Sequence, residues 1–226
     1  MLFAMVALLV TSCGDKESEG LSRFTFYPTI ELEGDTYLVW DKGTAYVDPG
    51  YSSTLNGEDV TSQVTVSGSV DTSKSGIYNL TYTTMNNEDG FNASASRTVV
   101  VLDPNSAVEG FYLTQADSYR SYNGAEVAYG RQFEILVIDN GDGTLTVDDL
   151  LGGWYCQRAG YGARYQMGGT IAMAADGSLT LVDSFIPGWA DGLVDFEGQF
   201  DASAGVFTVM SQYVSNMKFY QTWVKE

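Results

Sequence analysis

Gly76-Ile77-Tyr78-Asn79-Leu80-Thr81-Tyr82-Thr83 is the stretch on which the fold turns. Tyr78, Leu80 and Tyr82 recur at every second position, so an extended chain puts all three on one side. Aromatic and β-branched residues suit a half-buried pleated surface. The stretch therefore reads as a strand with these three side chains in a core. The same texture recurs at Thr29–Glu33, Tyr37–Trp40, Val64–Val66 and Ser96–Leu102. Turn chemistry separates these runs at Glu33-Gly34-Asp35, Asp48-Pro49-Gly50, Asn56-Gly57, Lys74-Ser75-Gly76 and Asn86–Gly90. Short strands at such spacing predict a β-sandwich over residues 24–103, with Asp48 serving its turn.

Leu102-Asp103-Pro104-Asn105-Ser106 reads as a linker, and residues 108–226 as a second all-β domain. Its expected strands are Gly110–Thr114, Gln132–Asp139, Thr144–Val147, Gly153–Arg158, Arg164–Met173, Ser178–Val182, Leu193–Asp201, Val206–Tyr213 and Lys218–Val224. Hairpin signals join many of them, as at Asn140-Gly141-Asp142-Gly143, Ala175-Asp176-Gly177 and Asp201–Gly205. An antiparallel meander follows, either a lipocalin-like barrel or a flattened sandwich.

Composition narrows the chemistry. The chain of 226 residues carries a net charge of −18. Nucleic-acid binding needs clustered Lys and Arg, so no nucleic-acid partner is expected. No histidine is present, which excludes His-based triads and His metal sites. Cys156 has no histidine to activate it and reads as a small buried apolar residue. Asp139-Asn140-Gly141-Asp142-Gly143-Thr144 lacks the glutamate that a calcium loop needs at its twelfth position, where Leu150 stands, so it reads as a hairpin turn. Adjacent Asp148 and Asp149, and Asp195 with Glu197 on one strand face, are pairs that an acidic chain produces by chance. No metal, cofactor or catalytic residue is expected.

The N-terminus sets the address. Leu2–Val10 is apolar but far short of the roughly 20 residues needed to span a bilayer. Val10-Thr11-Ser12-Cys13-Gly14 follows and resembles the lipobox of bacterial lipoproteins. The resemblance implies a signal peptide over residues 1–12, cleaved before an acylated Cys13. Multiple acyl chains anchor stably where one does not. No Lys or Arg lies in residues 1–12, a departure from the family's basic leading segment. Residues 13–23 read as an acidic flexible tether. The acidic cluster after Cys13 also resembles the surface-export signal of Bacteroidota lipoproteins, which implies the outer face of the outer membrane.

Two further resemblances concern the domains. Pro28-x-Ile30-x-Leu32-x-Gly34, Gly43–Tyr51, Asp59-Val60-Thr61, Val64-x-Val66-x-Gly68, Val70–Ser73, Gly76-x-Tyr78-x-Leu80-x-Tyr82 and Arg97-x-Val99-x-Val101 resemble bacterial immunoglobulin-like domains. That resemblance implies a sandwich and a spacer role. Asp149-Leu150-Leu151-Gly152-Gly153-Trp154-Tyr155, Gly160-Tyr161-Gly162 and Gly188-Trp189 resemble a C-terminal domain of Bacteroidota surface lipoproteins associated with polysaccharide utilisation.

The stretch from Leu150 to Tyr165 interleaves Gly, Arg and aromatics. Sugar rings pack their C–H faces on Trp and Tyr, while Arg and Asp bond hydroxyls. Trp154, Tyr155, Arg158, Tyr161, Arg164, Tyr165 and Trp189 are therefore the candidate ligand-binding residues. The competing reading puts these aromatics in the barrel core, Trp154 above all. Three functions stay open: a glycan-binding accessory lipoprotein, a docking protein for a neighbouring outer-membrane transporter or adhesin, and a carbohydrate-active enzyme. The first is preferred, because no catalytic constellation is seen.

Overall fold

The computed structural model describes residues 24–226, so the expectations for the signal segment, Cys13 and the tether lie outside the described residues. The first domain contains β1 (Thr29–Leu32), β2 (Tyr37–Asp41), β3 (Tyr51–Leu55), β4 (Glu58–Asp59), β5 (Thr65–Ser67), β6 (Gly76–Met85) and β7 (Asn92–Leu102). They make two sheets, β1-β3-β4 and β2-β7-β6-β5, with β2 parallel to β7 and the other pairs antiparallel. Leu80 and Tyr82 are buried and Tyr78 is half-buried, as the alternation predicts.

The centre of this sandwich is a charge. Arg97 shares the inward register of Val99 and Val101 and is fully buried. Its guanidinium donates to Asp48 Oδ1 (2.5 Å), Glu33 O (2.5 Å), Gly50 O (3.3 Å) and Asp35 O (3.2 Å). The Tyr82 hydroxyl donates to the other oxygen of Asp48. Asp48 thus serves its turn, accepting Gly50 N–H (2.8 Å), and is also the counter-ion of the core arginine. One residue ties β7 and β6 to the β1–β2 and β2–β3 connections.

The second domain holds β8 (Gly110–Thr114), β9 (Tyr119–Tyr122), β10 (Ala125–Ala128), β11 (Phe133–Asp139), β12 (Thr144–Val147), β13 (Gly168–Met173), β14 (Ser178–Phe185), β15 (Asp195–Asp201), β16 (Val206–Tyr213) and β17 (Met217–Lys225). β8 and β11 to β17 form one antiparallel sheet, and β17 closes it by pairing Trp223 with Thr114 and Lys225 with Tyr112. The result is an eight-stranded barrel, which decides between the two architectures left open. The other half of β17 pairs Phe219 with Arg120, so the β9–β10 hairpin raises the wall at one end. Val137, Leu145, Ile171, Phe207, Phe219 and Trp223 fill the interior.

Three expectations need correction. Gly153–Arg158 is not a strand: Trp154–Arg158 forms a π-helical turn, set by left-handed Gly152 (φ 55°) and Gly153 (φ 81°). The strand expected from Arg164 starts at Gly168, after a 3-10 turn at Ala163–Tyr165. β3, β4, β9 and β10 went unforeseen; Tyr51-Ser52-Ser53-Thr54-Leu55, Glu58-Asp59 and Tyr119-Arg120-Ser121-Tyr122 are too polar to show alternation.

The domains touch along their sides. Val100 and Leu102, on the outward face of β7, meet Leu136, Ile138 and Phe111 on the barrel wall. Beside this contact lies buried Glu109, which accepts bonds from Ser75 Oγ–H (2.9 Å), Asp139 N–H (3.1 Å) and the Asp103 amide.

Arg97→Met leaves Asp48 without its counter-ion, holding only the Gly50 N–H and Tyr82 hydroxyl bonds, and takes the guanidinium from the surrounding carbonyls. Loss of one partner from such a pair typically costs about 3–5 kcal/mol. Denaturant unfolding of the variant is expected to show a loss of that order, in the transition that includes the sandwich.

Candidate functional site: the aromatic mouth of the barrel

Loop 148–167, between β12 and β13, turns into the barrel, where Leu150 and Leu151 are fully buried. Burying a loop strips water from its peptide groups, and each then needs a partner. Asp149, itself fully buried, accepts from Leu151 N–H (2.9 Å), Gly153 N–H (3.1 Å), Met167 N–H (3.2 Å) and the Cys156 thiol (3.1 Å). The barrel wall answers the loop's carbonyls. Ser211 Oγ–H (2.6 Å) and Gln221 Nε2–H (3.1 Å) donate to Leu150 O, and the Tyr129 hydroxyl to Leu151 O (2.7 Å). No side chain fits at the turn itself: a Cβ on Gly152 would fall on Gln221 and Thr114, and one on Gly153 on Phe133.

Burial pushes the Asp149 carboxyl above its ordinary range, against the pull of its four donors. Burial, reinforced by Asp149, also pushes the Cys156 thiol up. Cys156 is buried, as expected, but it serves as a donor to Asp149 rather than as a purely apolar filler. Asp148 accepts Leu136 N–H (2.7 Å) and lies near Gln166 (3.4 Å). Burial drives its carboxyl up to about 7, with Asp149 adding to the rise and the Leu136 amide opposing it.

Trp154 is only 3% exposed and belongs to the core, which corrects its place among the ligand-binding candidates. Its indole meets Tyr129 (4.9 Å) and Phe219 (5.6 Å) edge-on, with the guanidiniums of Arg158 (4.1 Å) and Arg120 (5.0 Å) over it. Arg158 also donates to Tyr129 O (3.0 Å) and Ala128 O (3.1 Å), so it secures β10 while remaining exposed.

The other predicted aromatics do come together. Trp189 lies 4.7 Å from Tyr155 and 4.9 Å from Tyr165, centroid to centroid, and Tyr161 lies 5.3 Å from Tyr165. Tyr213 stacks beneath Trp189 at 6.0 Å. Tyr155 and Tyr165 are half-buried, whereas Trp189 is 41% and Tyr161 55% exposed. Gly188 N–H donates to Arg164 O (2.6 Å), joining the two loops, and the Tyr165 ring occupies the space a Cβ on Gly188 would need. Arg164 is exposed at this rim. Residues missed from sequence are Tyr213, Arg120 and Tyr129. Tyr213 was accessible to reasoning, since Phe207, Val209, Ser211 and Tyr213 share one inward register.

A cleft of about 890 Å³ lies at the opposite end, between Ser106–Val108 and the hairpins at Ala174–Gly177 and Asp201–Ser203. Phe200 is its one aromatic, and Asp176 and Asp201 already bond Ser178 and Ser203 of their own turns. It offers no platform for a ring, so the aromatic mouth is the candidate site.

Fold and site define an all-β protein of bacterial-surface type: an immunoglobulin-like sandwich carrying a closed barrel with an aromatic mouth. Residues 30–101 match the family described as bacterial surface protein, Ig-like domain, and residues 102–225 match the model of a C-terminal domain family. The solved structure of the lipoprotein BT2262 from Bacteroides thetaiotaomicron is 36% identical, with 88% of this chain and 100% of that chain covered and a TM-score of 0.69. The chain belongs to the family of that lipoprotein. Two structures from Clostridium perfringens ZmpB are far more distant. One, of its M60 catalytic domain with CBM51-1 and CBM51-2, is 18% identical over 54% of this chain and 15% of that one, at a TM-score of 0.29. The other, of CBM51-2 with GlcNAc and INT domains, is 15% identical over 88% and 44%, at 0.28. Likeness this slight adds nothing to the reading. No protein of curated function matches the chain.

Asp149→Ala removes the acceptor of four buried donors. An unfolding free energy lower by about 3 kcal/mol or more is expected by denaturant titration, since each orphaned group costs about 1–3 kcal/mol.

Asp148 gives a pH signature. Its folded value, about 7, lies above the ordinary carboxylate range. Between those values the folded chain holds a proton that the unfolded chain has lost, so stability falls as pH rises through about 7. Asp148→Asn should flatten this slope, matching the parent near pH 4 and exceeding it at pH 8 by on the order of a few kcal/mol.

Proposed function

We propose that the protein is a lipoprotein anchored through Cys13 in the outer membrane, facing outward, whose barrel mouth binds a glycan for a polysaccharide-utilisation system. The observation that carries the proposal is the exposed pair Trp189 and Tyr161, standing on the half-buried rings of Tyr155 and Tyr165. Rigid rings already held by neighbours offer apolar faces at little entropic cost. Arg164 and Asp191 stand on the two loops that form this rim, where sugar hydroxyls need polar partners. The sandwich, docked along the barrel, acts as its mount. The reading is one of binding rather than catalysis, and Asp149 is committed to three backbone N–H groups and the Cys156 thiol. A second reading, docking on a neighbouring outer-membrane protein, draws on exposed Val182, Phe185 and Val194 at the same end.

The test is titration of the full chain against a panel of polysaccharides by affinity gel and calorimetry. Trp189→Ala is expected to weaken binding by more than tenfold, about 1.4 kcal/mol. No binding tighter than millimolar across the panel would transfer the weight to docking, with recovery of a partner from solubilised membranes as its own check.

A further inference from the structure

The mouth contains a cation without a counter-ion. Arg120 sits opposite Phe219 in the β9–β17 ladder, so its side chain shares the face that enters the barrel. The guanidinium lies 5.0 Å from the Trp154 ring centroid, and its charge pulls on the Tyr155 hydroxyl. Its Nε is buried with no hydrogen-bond partner, and no carboxylate among the described residues pairs with it. This happens in a chain with 29 acidic residues against 11 basic ones. Arg97, by contrast, has Asp48 and three carbonyls. Arg120 is joined at the mouth end by Arg131, Arg158, Arg164 and Lys218, leaving Lys225 as the barrel's basic residue elsewhere.

We propose that the mouth selects an anionic saccharide, carrying a carboxylate or a sulfate ester, and that Arg120 binds the anion while Trp189 and Tyr161 pack the ring. This rests on the glycan reading above and adds its charge class. A guanidinium presents a planar fork of donors matched to both oxyanions. The buried Trp154 ring beside the guanidinium lowers the local dielectric and strengthens that bond. The whole chain repels anions at long range, but salt confines that repulsion to about 8 Å at physiological ionic strength. Short acidic oligosaccharides are therefore the fitting probes.

The experiment titrates the full chain with a uronate trisaccharide, a sulfated disaccharide, a neutral trisaccharide and inorganic sulfate. Arg120→Gln, Arg120→Lys and Trp189→Ala are compared with the parent. The expected result is at least tenfold tighter binding of one acidic sugar than of the neutral one. Arg120→Gln should abolish that preference, Arg120→Lys should keep part of it, and Trp189→Ala should weaken every sugar. The uronate and sulfate arms tell which oxyanion is taken. Thermal melting checks that Arg120→Gln is still folded, so that a lost preference is read as lost anion binding. Equal affinity for neutral and acidic sugars, or a preference that survives Arg120→Gln, overturns the charge class and leaves the glycan reading intact. Inorganic sulfate binding as tightly as the sulfated sugar overturns it too. Failure of every saccharide overturns both.

Discussion

A peptide group inside a barrel must find its hydrogen bonds there, and this requirement governs the second domain. Eight strands of this size enclose a space that side chains alone commonly fill. Here a loop enters it, and Asp149, Ser211, Gln221 and Tyr129 exist in the core to meet its amides and carbonyls. The arrangement is divided by chemistry. A carboxylate, which only accepts when ionised, gathers the N–H groups, while hydroxyl and amide donors on the wall take the C=O groups. Trp223 Nε1–H holds Gln221 by its oxygen (2.9 Å), so the amide's nitrogen is left to face Leu150.

The rim follows from that packing. Gly152 and Gly153 turn the chain back, Trp154 goes down into the core and Tyr155 comes up beside Trp189. Adjacent aromatics thus have different surroundings, Trp154 in the core and Tyr155 at the rim. The rim loops are tied to one another through Gly188 and Arg164, and to the wall through Tyr213. The platform is therefore held to the plug beneath it and to the wall beside it.

Much of this was legible in the chain. Alternation in residues 76–83 placed Leu80 and Tyr82 in the core, and the turn residues marked most hairpins. Trp189, Tyr161 and Tyr165 were found as a set because Gly-rich aromatic loops are unusual. The losses have specific causes. Trp154-Tyr155-Cys156 carries strand-like residues, and local propensity cannot see that Asp149 and two left-handed glycines bend it. β9 hides Arg120 in a polar tetrapeptide whose inward face exists only once Phe219 lies beside it. Ser211 and Gln221 were the overlooked clue. Polar residues in the inward register of Phe207–Tyr213 and Phe219–Trp223 signal that a barrel's core contains backbone.

The side-on contact bears on how such chains are assembled over generations. The two family matches divide at residues 101 and 102, as though the halves were interchangeable parts. Glu109 belongs to the barrel half by sequence, yet one of its bonds comes from Ser75 in the sandwich. A barrel transplanted behind a different sandwich would keep the carboxylate and lose that hydroxyl, and Leu136 and Ile138 would lose an apolar neighbour unless the newcomer brought its own Val100. Shuffling at this boundary is thus restricted to donors that match at two places, and the pair is inherited most easily as one.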